Sequence, residues 1–326
     1  MNEAPKDSAG QPPQKKGFWR RLFTWRALRR ALIGLLILIT FIGLLVTEEN
    51  WRGKHALDSY QHEWEAKGER FDWQAFAPLT VPDEQNFLAA PIFINMLNDK
   101  TILDAYPKSE GAYEYGDWQK NLLTDLKPWQ MAYRQLHEDN NRKPFPVTPQ
   151  PQTPAAGVLF ALGKFDPQVE ELRRASLRPY AYIPAHYEEG IIVAATEQFP
   201  YLEILKRCSR LLQLRATAEL ADGESSKALE DIKLLLRVND SLRNSPLLIS
   251  QLVRMAVINI GLQPVWEGLA EHKWSDEQLA VLEADLAKED FLADYEFAIR
   301  GERTFAISTF EDMRRTGKMI VSGGTW

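Results

Sequence analysis

The sequence predicts a mainly all-α fold, in which an N-terminal transmembrane helix is followed by an α-helical, repeat-like extracytoplasmic domain. Three observations support this prediction. An uncharged apolar run occupies residues 31–47 of the 326-residue chain. Beyond it, apolar residues recur at intervals of three or four, which is helical spacing, and rarely alternate as they do in strands. Prolines, glycines and capping residues divide the remainder into segments of ordinary helix length.

The run from Ala31 to Thr47 is the predicted membrane span. It rises about 25 Å as a helix, slightly less than a hydrocarbon core of about 30 Å. Arg29 and Arg30 can extend their charges to the inner headgroups, and Trp51 suits the outer interface. No small-x-small cleavage site follows, so we predict an uncleaved anchor. A cleaved signal peptide and a buried soluble helix are the alternatives.

Charge is divided unevenly along the chain. Residues 1–46 carry eight basic and two acidic groups, a net charge of +6. Since the whole chain carries −6, the remainder carries −12. The positive-inside rule therefore places the N-terminus in the cytoplasm, the anchor in the inner membrane and the large domain outside. An acidic domain repels phosphate backbones, so the expected partners are the lipid bilayer and another envelope protein, and not nucleic acid.

The pattern predicts five segments. Residues 1–17 form a disordered, basic cytoplasmic tail, and residues 18–68 form the anchor helix with its outer extension. Residues 69–137 form the N-terminal helical part of the outer domain. Five closely spaced prolines predict an extended connector over residues 138–154, because proline fixes φ and removes a backbone donor. Residues 155–326 form the C-terminal helical part.

Local signals place the elements before residue 200. The segment Val81–Glu84 predicts a helix start with acidic residues in its first turn, and short helices are expected near 117–137. Asp166 is the predicted N-cap of another helix, with Pro167 at the first helical position. Residues 179–195 are the one stretch where a short strand or hairpin is expected.

From residue 200 onward the spacing is consistently helical. One apolar stripe ends at Gly223, which suits a helix C-terminus. The residues of this stripe are Leu205, Cys208, Leu212, Ala216 and Leu220. Ser225 or Ser226 is predicted to cap the next helix, a capping box opens at Ser275, and the last helix is expected over about 289–316.

A second apolar stretch, residues 247–266, is almost as long as the anchor. It contains Arg254, and a charge near a membrane midplane costs about 2.5–3.5 kcal/mol. We therefore predict a buried central helix. A buried arginine needs a partner, and Asp294 or Glu302 is the predicted acid of a structural ion pair. An anion-binding site and simple exposure are the alternatives for Arg254.

Residues 212–235 resemble the helical hairpin of a tetratricopeptide repeat. The matching residues are Leu212, Ala216, Gly223, Ala228, Ile232 and Leu235. The resemblance implies two antiparallel helices that approach closely through small residues. The chain departs from the repeat pattern in two ways: Glu219 stands at a position that is usually apolar, and no second copy follows. An ordinary helical hairpin is the alternative.

The layout of the chain also resembles that of uncharacterised bacterial proteins with a single membrane anchor and a helical outer domain. The segments that carry this resemblance are Asn50-Trp51, residues 82–87 and residues 298–303. It implies the architecture over most of the chain but names no activity.

The chain lacks the common motifs of catalysis and cofactor binding. It has no Gly-x-Gly-x-x-Gly, phosphate-loop, Gly-x-Ser-x-Gly, EF-hand or His-Glu-x-x-His pattern, so neither a cofactor nor a metal is expected. Its single cysteine, Cys208, excludes an intramolecular disulfide and is expected to be a small core residue.

The 179–190 loop holds the catalytic candidates, His186, Glu188 and Glu189. An imidazole beside two carboxylates supplies the groups that acid–base chemistry uses. A polar loop also contains such residues by chance, and that is the competing interpretation.

These observations favour a membrane-anchored binding or scaffold protein of the cell envelope over an enzyme. Two alternatives stay open. One is an extracytoplasmic, hydrolase-type enzyme that uses the 179–190 loop, and the other is an accessory subunit of a transport or secretion complex.

Overall fold

The computed structural model describes residues 25–105, 114–138, 145–148, 150 and 152–316. Over these residues the protein is mainly helical, with 75% helix and no strand, which confirms the predicted fold class. The chain divides into two compact units, residues 1–69 and 70–326. The predicted tail, 1–17, and about half of the predicted connector, 138–154, lie outside the described residues.

The described part of the first unit consists of one continuous helix, α1 (Trp25–Glu65), and the turn that follows it. Its stretch from Leu28 to Glu65 is long and apolar enough to cross a membrane, and none of its most apolar window is buried in the protein. The hydroxyl of Thr40 donates to the carbonyl of Leu36, so this polar group is satisfied within the helix. The helix ends in a turn that contains Gly68, where φ is +92°. The predicted extension of the helix beyond residue 47 is confirmed.

The second unit contains nine described helices. They are α2 (Pro91–Asn98), α3 (Leu126–Glu138), α4 (Pro154–Leu162), α5 (Asp166–Ser176), α6 (Ile191–Ala221), α7 (Ser225–Asp240), α8 (Leu248–Ala270), α9 (Asp276–Leu286) and α10 (Phe291–Thr316). Single 3-10 turns lie between them, including one at Trp73–Phe76 and one at Tyr187–Glu189.

Helix α6 is the centre of this unit. It packs against α7 and α8, while α2, α4 and α10 also contact it. The predicted stripe faces this core, and each of its five side chains is no more than 3% exposed. Gly223 lies in the turn between α6 and α7. Its φ is +86°, a left-handed conformation that glycine adopts without strain.

The second apolar helix, α8, packs against α6, α7 and α10, and 56% of its apolar window is buried. Arg254, in the N-terminal third of this helix, is fully buried. This helix also meets the length and hydropathy criteria for a membrane span. Its packing on three helices and its buried arginine agree instead with the predicted central helix.

Two predicted helix caps are wrong by one residue. Asp166 lies inside the first turn of α5, because the 3-10 turn Gly163–Phe165 leads directly into the helix and gives Asp166 helical φ and ψ angles. Its carboxylate accepts a hydrogen bond from Arg215 of α6 at 2.7 Å. Ser225 lies inside α7, whose N-cap is Glu224. The predicted capping box at Ser275 is confirmed, with Gln278 as its reciprocal partner.

The strand expected within 179–195 does not form among the described residues. Tyr180 makes one isolated parallel bridge with Asn86, and α6 already begins at Ile191. The helix start expected at Val81–Glu84 is also wrong. Only a 3-10 turn forms there, and the first α-helix of the second unit begins at Pro91. Both segments are rich in proline, which withholds the donors that a strand or a helix interior needs.

Replacing Gly301 of α10 by alanine is expected to destabilise the protein by about 1–3 kcal/mol. A Cβ atom at this position would lie 2.2 Å from the carbonyl oxygen of Pro246, and backbone cannot move aside as a flexible side chain can. Urea denaturation measures the change. Gly53→Ala in α1 is the control, because no atom lies within 4 Å of its Cβ position, and an equal loss in both variants would contradict the prediction.

Candidate functional site: the cleft beside the 179–190 loop

Two non-helical segments, residues 77–82 and 181–186, border an open cleft of ≈ 470 Å³. Ala77 and Pro82, at the two ends of the first segment, have ψ angles of 134° and 142°, as in extended or polyproline II chain. Pro184 restricts the second segment in the same way. Neither segment can join a helix, so both stay open along the side of the helical core.

Asn86 joins the two segments. Its side-chain oxygen accepts a hydrogen bond from the Tyr182 N–H, and its side-chain nitrogen donates to the Tyr182 carbonyl, each at 2.9 Å. Next to this pair, the N–H of Tyr180 donates to Gln85 and the N–H of Phe87 donates to Tyr180. Asn86 is itself buried, so the second segment is held in register against the first.

Tyr187 forms the inner wall of the cleft. Its ring stacks on Trp73 at a centroid distance of 5.8 Å. Burial raises the pKa of the Tyr187 hydroxyl far above its usual range, so it is a neutral donor and acceptor at any physiological pH. Gln198 and Ser245 lie behind it in a narrow recess and hydrogen-bond to each other at 2.9 Å. The cleft therefore combines an aromatic wall with neutral polar groups.

The catalytic candidates do not come together. The His186 imidazole is 61% exposed, and its Nδ1 lies 2.9 Å from Glu197 Oε1, a carboxylate of α6. Neither Glu188 nor Glu189 hydrogen-bonds to it. Glu188 lines the cleft, whereas His186 does not. The arrangement gives one oriented imidazole beside one carboxylate, and no hydroxyl or thiol of the described residues hydrogen-bonds to that imidazole.

The pKa of His186 is expected to lie above its ordinary 6.5, because the imidazolium hydrogen-bonds to Glu197 and is attracted by its charge. This pair stabilises the fold fully below 6.5 and loses that contribution as the pH rises through the raised pKa. An NMR titration measures the effect. Glu197→Gln should lower the pKa of His186, and His62, 83% exposed on α1, is the internal reference. An unchanged value in Glu197→Gln would contradict the assignment.

Arg254 is paired with two acids. Its guanidinium donates to Asp294 of α10, one of the two predicted partners, and to Glu289, which the sequence did not single out. The Phe291 ring lies 4.7 Å from the guanidinium carbon. Glu302, the other predicted partner, instead accepts a hydrogen bond from the N–H of Leu248 at the start of α8. Two carboxylates occupy the guanidinium, so the arrangement is a structural ion pair and not an anion site.

A second buried cluster joins α5, α6 and α7. Asp231 is fully buried and accepts hydrogen bonds from Arg173 and Arg215. Glu219 is only 4% exposed, and its nearest cation is Arg215, at 3.7 Å. Burial, together with the charge of Asp231, raises the pKa of Glu219 well above its usual 4.5.

Glu219→Gln is expected to flatten the pH dependence of stability. In the native protein the raised pKa of Glu219 means that folding binds a proton above pH 4.5, so stability falls as the pH rises toward that pKa. The loss amounts to about 1.4 kcal/mol for each pH unit over which only the folded state is protonated. Urea denaturation at about pH 5, 7 and 9 measures it. Parallel curves for the variant and the native protein would contradict the prediction.

The other reactive groups are inert or dispersed. Burial raises the pKa of the Cys208 thiol to about 12, as expected of a core residue. Within the described parts of the chain, no three His, Cys, Asp or Glu side chains form a group that could hold a metal ion. A second groove of ≈ 450 Å³ lies between α2 and α6, beside the exposed Phe199, and is flanked by Lys100 and Arg207.

Sequence reasoning missed three residues that shape the site: Asn86, Tyr187 as a wall residue, and Glu197. Asn86 lies within the 82–87 segment that carried a resemblance, and Tyr187 lies in the 179–190 loop between the catalytic candidates. Glu197 is eleven residues from His186, so only the turn into α6 brings them together. No protein-family model, curated protein or solved structure matches this chain.

Proposed function

We propose that this protein is a membrane-anchored binding protein of the bacterial cell envelope, and that its extracytoplasmic domain holds a partner in the cleft beside the 179–190 loop. The open cleft itself is the observation that carries the proposal. It is bordered by two segments held rigidly by Asn86, and it does not bring the catalytic candidates together. A preformed, mixed polar and apolar cleft of this size suits binding.

The membrane part of the proposal is supported by α1 and by the charge pattern. The apolar window of α1 is unburied, and the basic excess lies wholly on its N-terminal side. The positive-inside rule therefore favours an inner-membrane anchor with a cytoplasmic N-terminus and an outer C-terminal domain. The resemblance to single-anchor bacterial proteins agrees with this arrangement.

Cysteine labelling in bacterial cells tests the topology. The native Cys208 is fully buried and stays unlabelled, so single cysteines can be added to the full chain. A membrane-impermeant maleimide should label Leu79→Cys, 74% exposed on the cleft rim, in intact spheroplasts. It should label Ser8→Cys only after lysis. The reverse pattern, or release of the protein from membranes by alkaline carbonate, would overturn the membrane assignment.

Site-specific photo-crosslinking in the same cells tests the binding. A photo-reactive residue at Leu79 should give a discrete crosslinked species, whereas one at Leu177, 85% exposed outside the cleft lining, should not. Ala185→Trp, which fills the cleft, should abolish the Leu79 product while the protein stays folded. Equal crosslinking at both positions, or no effect of Ala185→Trp, would contradict the role of the cleft.

A further inference from the structure

We infer that the cleft binds an extended peptide segment that carries a lysine or arginine, through main-chain hydrogen bonds along its two walls and a charge contact with its acidic lining residues. This inference rests on the proposed function and names the class of partner.

The first support is a set of backbone groups without partners. The N–H groups of Leu79, Thr80 and Val81 on one wall, and of Ile183 on the other, donate no hydrogen bond within the described chain. These residues border the cleft directly. An extended chain presents such donors and its carbonyls in a row, and an added strand pairs with them.

The second support is that the protein already uses this mode of pairing on itself. Residues 180–182 bind the 85–87 segment through backbone bonds in a parallel arrangement, and the Asn86 side chain takes the place of a peptide group. This pairing uses the backbone N–H and carbonyl groups of Tyr180 and Tyr182. The backbone groups of an extended chain alternate between its two sides, so those of Ile183 face away from that pairing.

The third support is charge. Asp83 and Glu188 line the cleft, and no lysine or arginine does. Arg178 donates to the backbone carbonyls of Asp83 and Asn86 and is not among the lining residues. The chain beyond the anchor carries a net negative charge, so a cationic side chain is attracted from a distance toward these two carboxylates.

The aromatic residues favour a peptide over a sugar. A sugar ring stacks on an open aromatic face, but one face of Tyr187 is covered by Trp73, which is itself buried. The apolar wall residues Leu79, Val81 and Ile183 offer contacts for alternate side chains of an extended peptide. We therefore place a peptide in the cleft, and treat sugar binding as a contrary result.

Calorimetry on the full-length protein in detergent micelles tests the inference. The probe is the acetylated and amidated peptide Val-Lys-Val-Lys-Val. Its controls are the same peptide with glutamate in place of lysine and a version N-methylated at alternate amides. The lysine peptide should bind, and both controls should bind at least about 5-fold more weakly, because one loses the charge contact and the other the main-chain donors.

Variants of the protein complete the test. Asp83→Asn combined with Glu188→Gln should weaken the lysine peptide about 5-fold or more. Glu230→Gln, an exposed acid of α7 outside the cleft, should leave it unchanged. Any one of four results would overturn the inference. The first two are full binding of the N-methylated or glutamate peptide, and an equal loss of binding in Glu230→Gln. The other two are no binding of the lysine peptide up to about 1 mM, and its displacement by a chitin oligosaccharide. Cleft-dependent crosslinking at Leu79 would still support the proposed function in those cases.

Discussion

Arg254→Met is expected to destabilise the protein by about 3–5 kcal/mol. The arginine is fully buried in α8, and its guanidinium is shared by Glu289 and Asp294, which are 9% and 15% exposed. Methionine fills a similar volume but leaves both carboxylates in a poorly solvated site without their cation. Asn239 and Arg243 still contact Glu289, so Asp294 bears most of the loss. Urea denaturation of the full-length protein in detergent measures the change in the free energy of unfolding.

The control for this prediction is Arg315→Met on α10. Arg315 also pairs with a carboxylate, that of Asp312, but it is 81% exposed. An exposed pair contributes about 0–1 kcal/mol, so the control should remain near the native stability. A triple variant, Arg254→Met with Glu289→Gln and Asp294→Asn, should regain part of the loss because it removes the unpaired charges. Equal losses in Arg254→Met and Arg315→Met would refute the importance of burial.

The helical part of the fold was largely predictable because its signals are local. The spacing of Leu205, Cys208 and Leu212 defines a buried helix face without knowledge of the partner helices, and the capping box at Ser275 depends on only four residues. Arg254, the one charged residue in the apolar stretch 247–266, likewise predicted a buried helix with an acidic partner. That prediction was incomplete, since Asp294 is a partner but Glu289, which lies just before α10, was not singled out.

The errors have a common physical cause. Asp166 has the residue type of an N-cap, but a tertiary partner, Arg215, takes its carboxylate. The 179–195 segment has the aromatic and β-branched residues of a strand, but only one bridge to Asn86 is available to it. In the first place a contact distant in sequence competes with the local preference, and in the second a partner strand is lacking among the described residues. The residue pattern carries no information on either.

The sequence singled out a loop but not the arrangement of its side chains. Part of the 179–190 loop borders the cleft of ≈ 470 Å³. His186 and the two adjacent glutamates share a loop, yet the imidazole turns toward Glu197, because the loop leads directly into α6. Proximity in sequence places residues in one region, but the direction of each side chain depends on the helix that follows.

The buried cluster around Asp231 explains how Glu219 can occupy a position that is apolar in tetratricopeptide hairpins. Two arginines, Arg173 and Arg215, converge on Asp231 between α6 and α7. Arg215 also contacts Glu219, so this carboxyl has a partial partner in its protonated or charged form. Asp231 is therefore the residue on which the cluster depends, since it alone is fully buried and bound by both arginines.

Asp231→Asn is expected to cost about 3–5 kcal/mol of stability at neutral pH, because it leaves two arginines without their shared anion. The same change removes a negative neighbour of Glu219, so the pKa of Glu219 should fall toward its ordinary value and the remaining stability should depend less on pH. Urea denaturation at several pH values measures both effects.

Glu230→Gln, one residue earlier on the exposed face of α7, is the matched control and should show neither effect. A loss in Asp231→Asn without a flatter pH profile would mean that the charge of Asp231 does not act on Glu219. An unchanged stability would mean that the arginines find other partners, and the cluster would then not stabilise the α6–α7 hairpin.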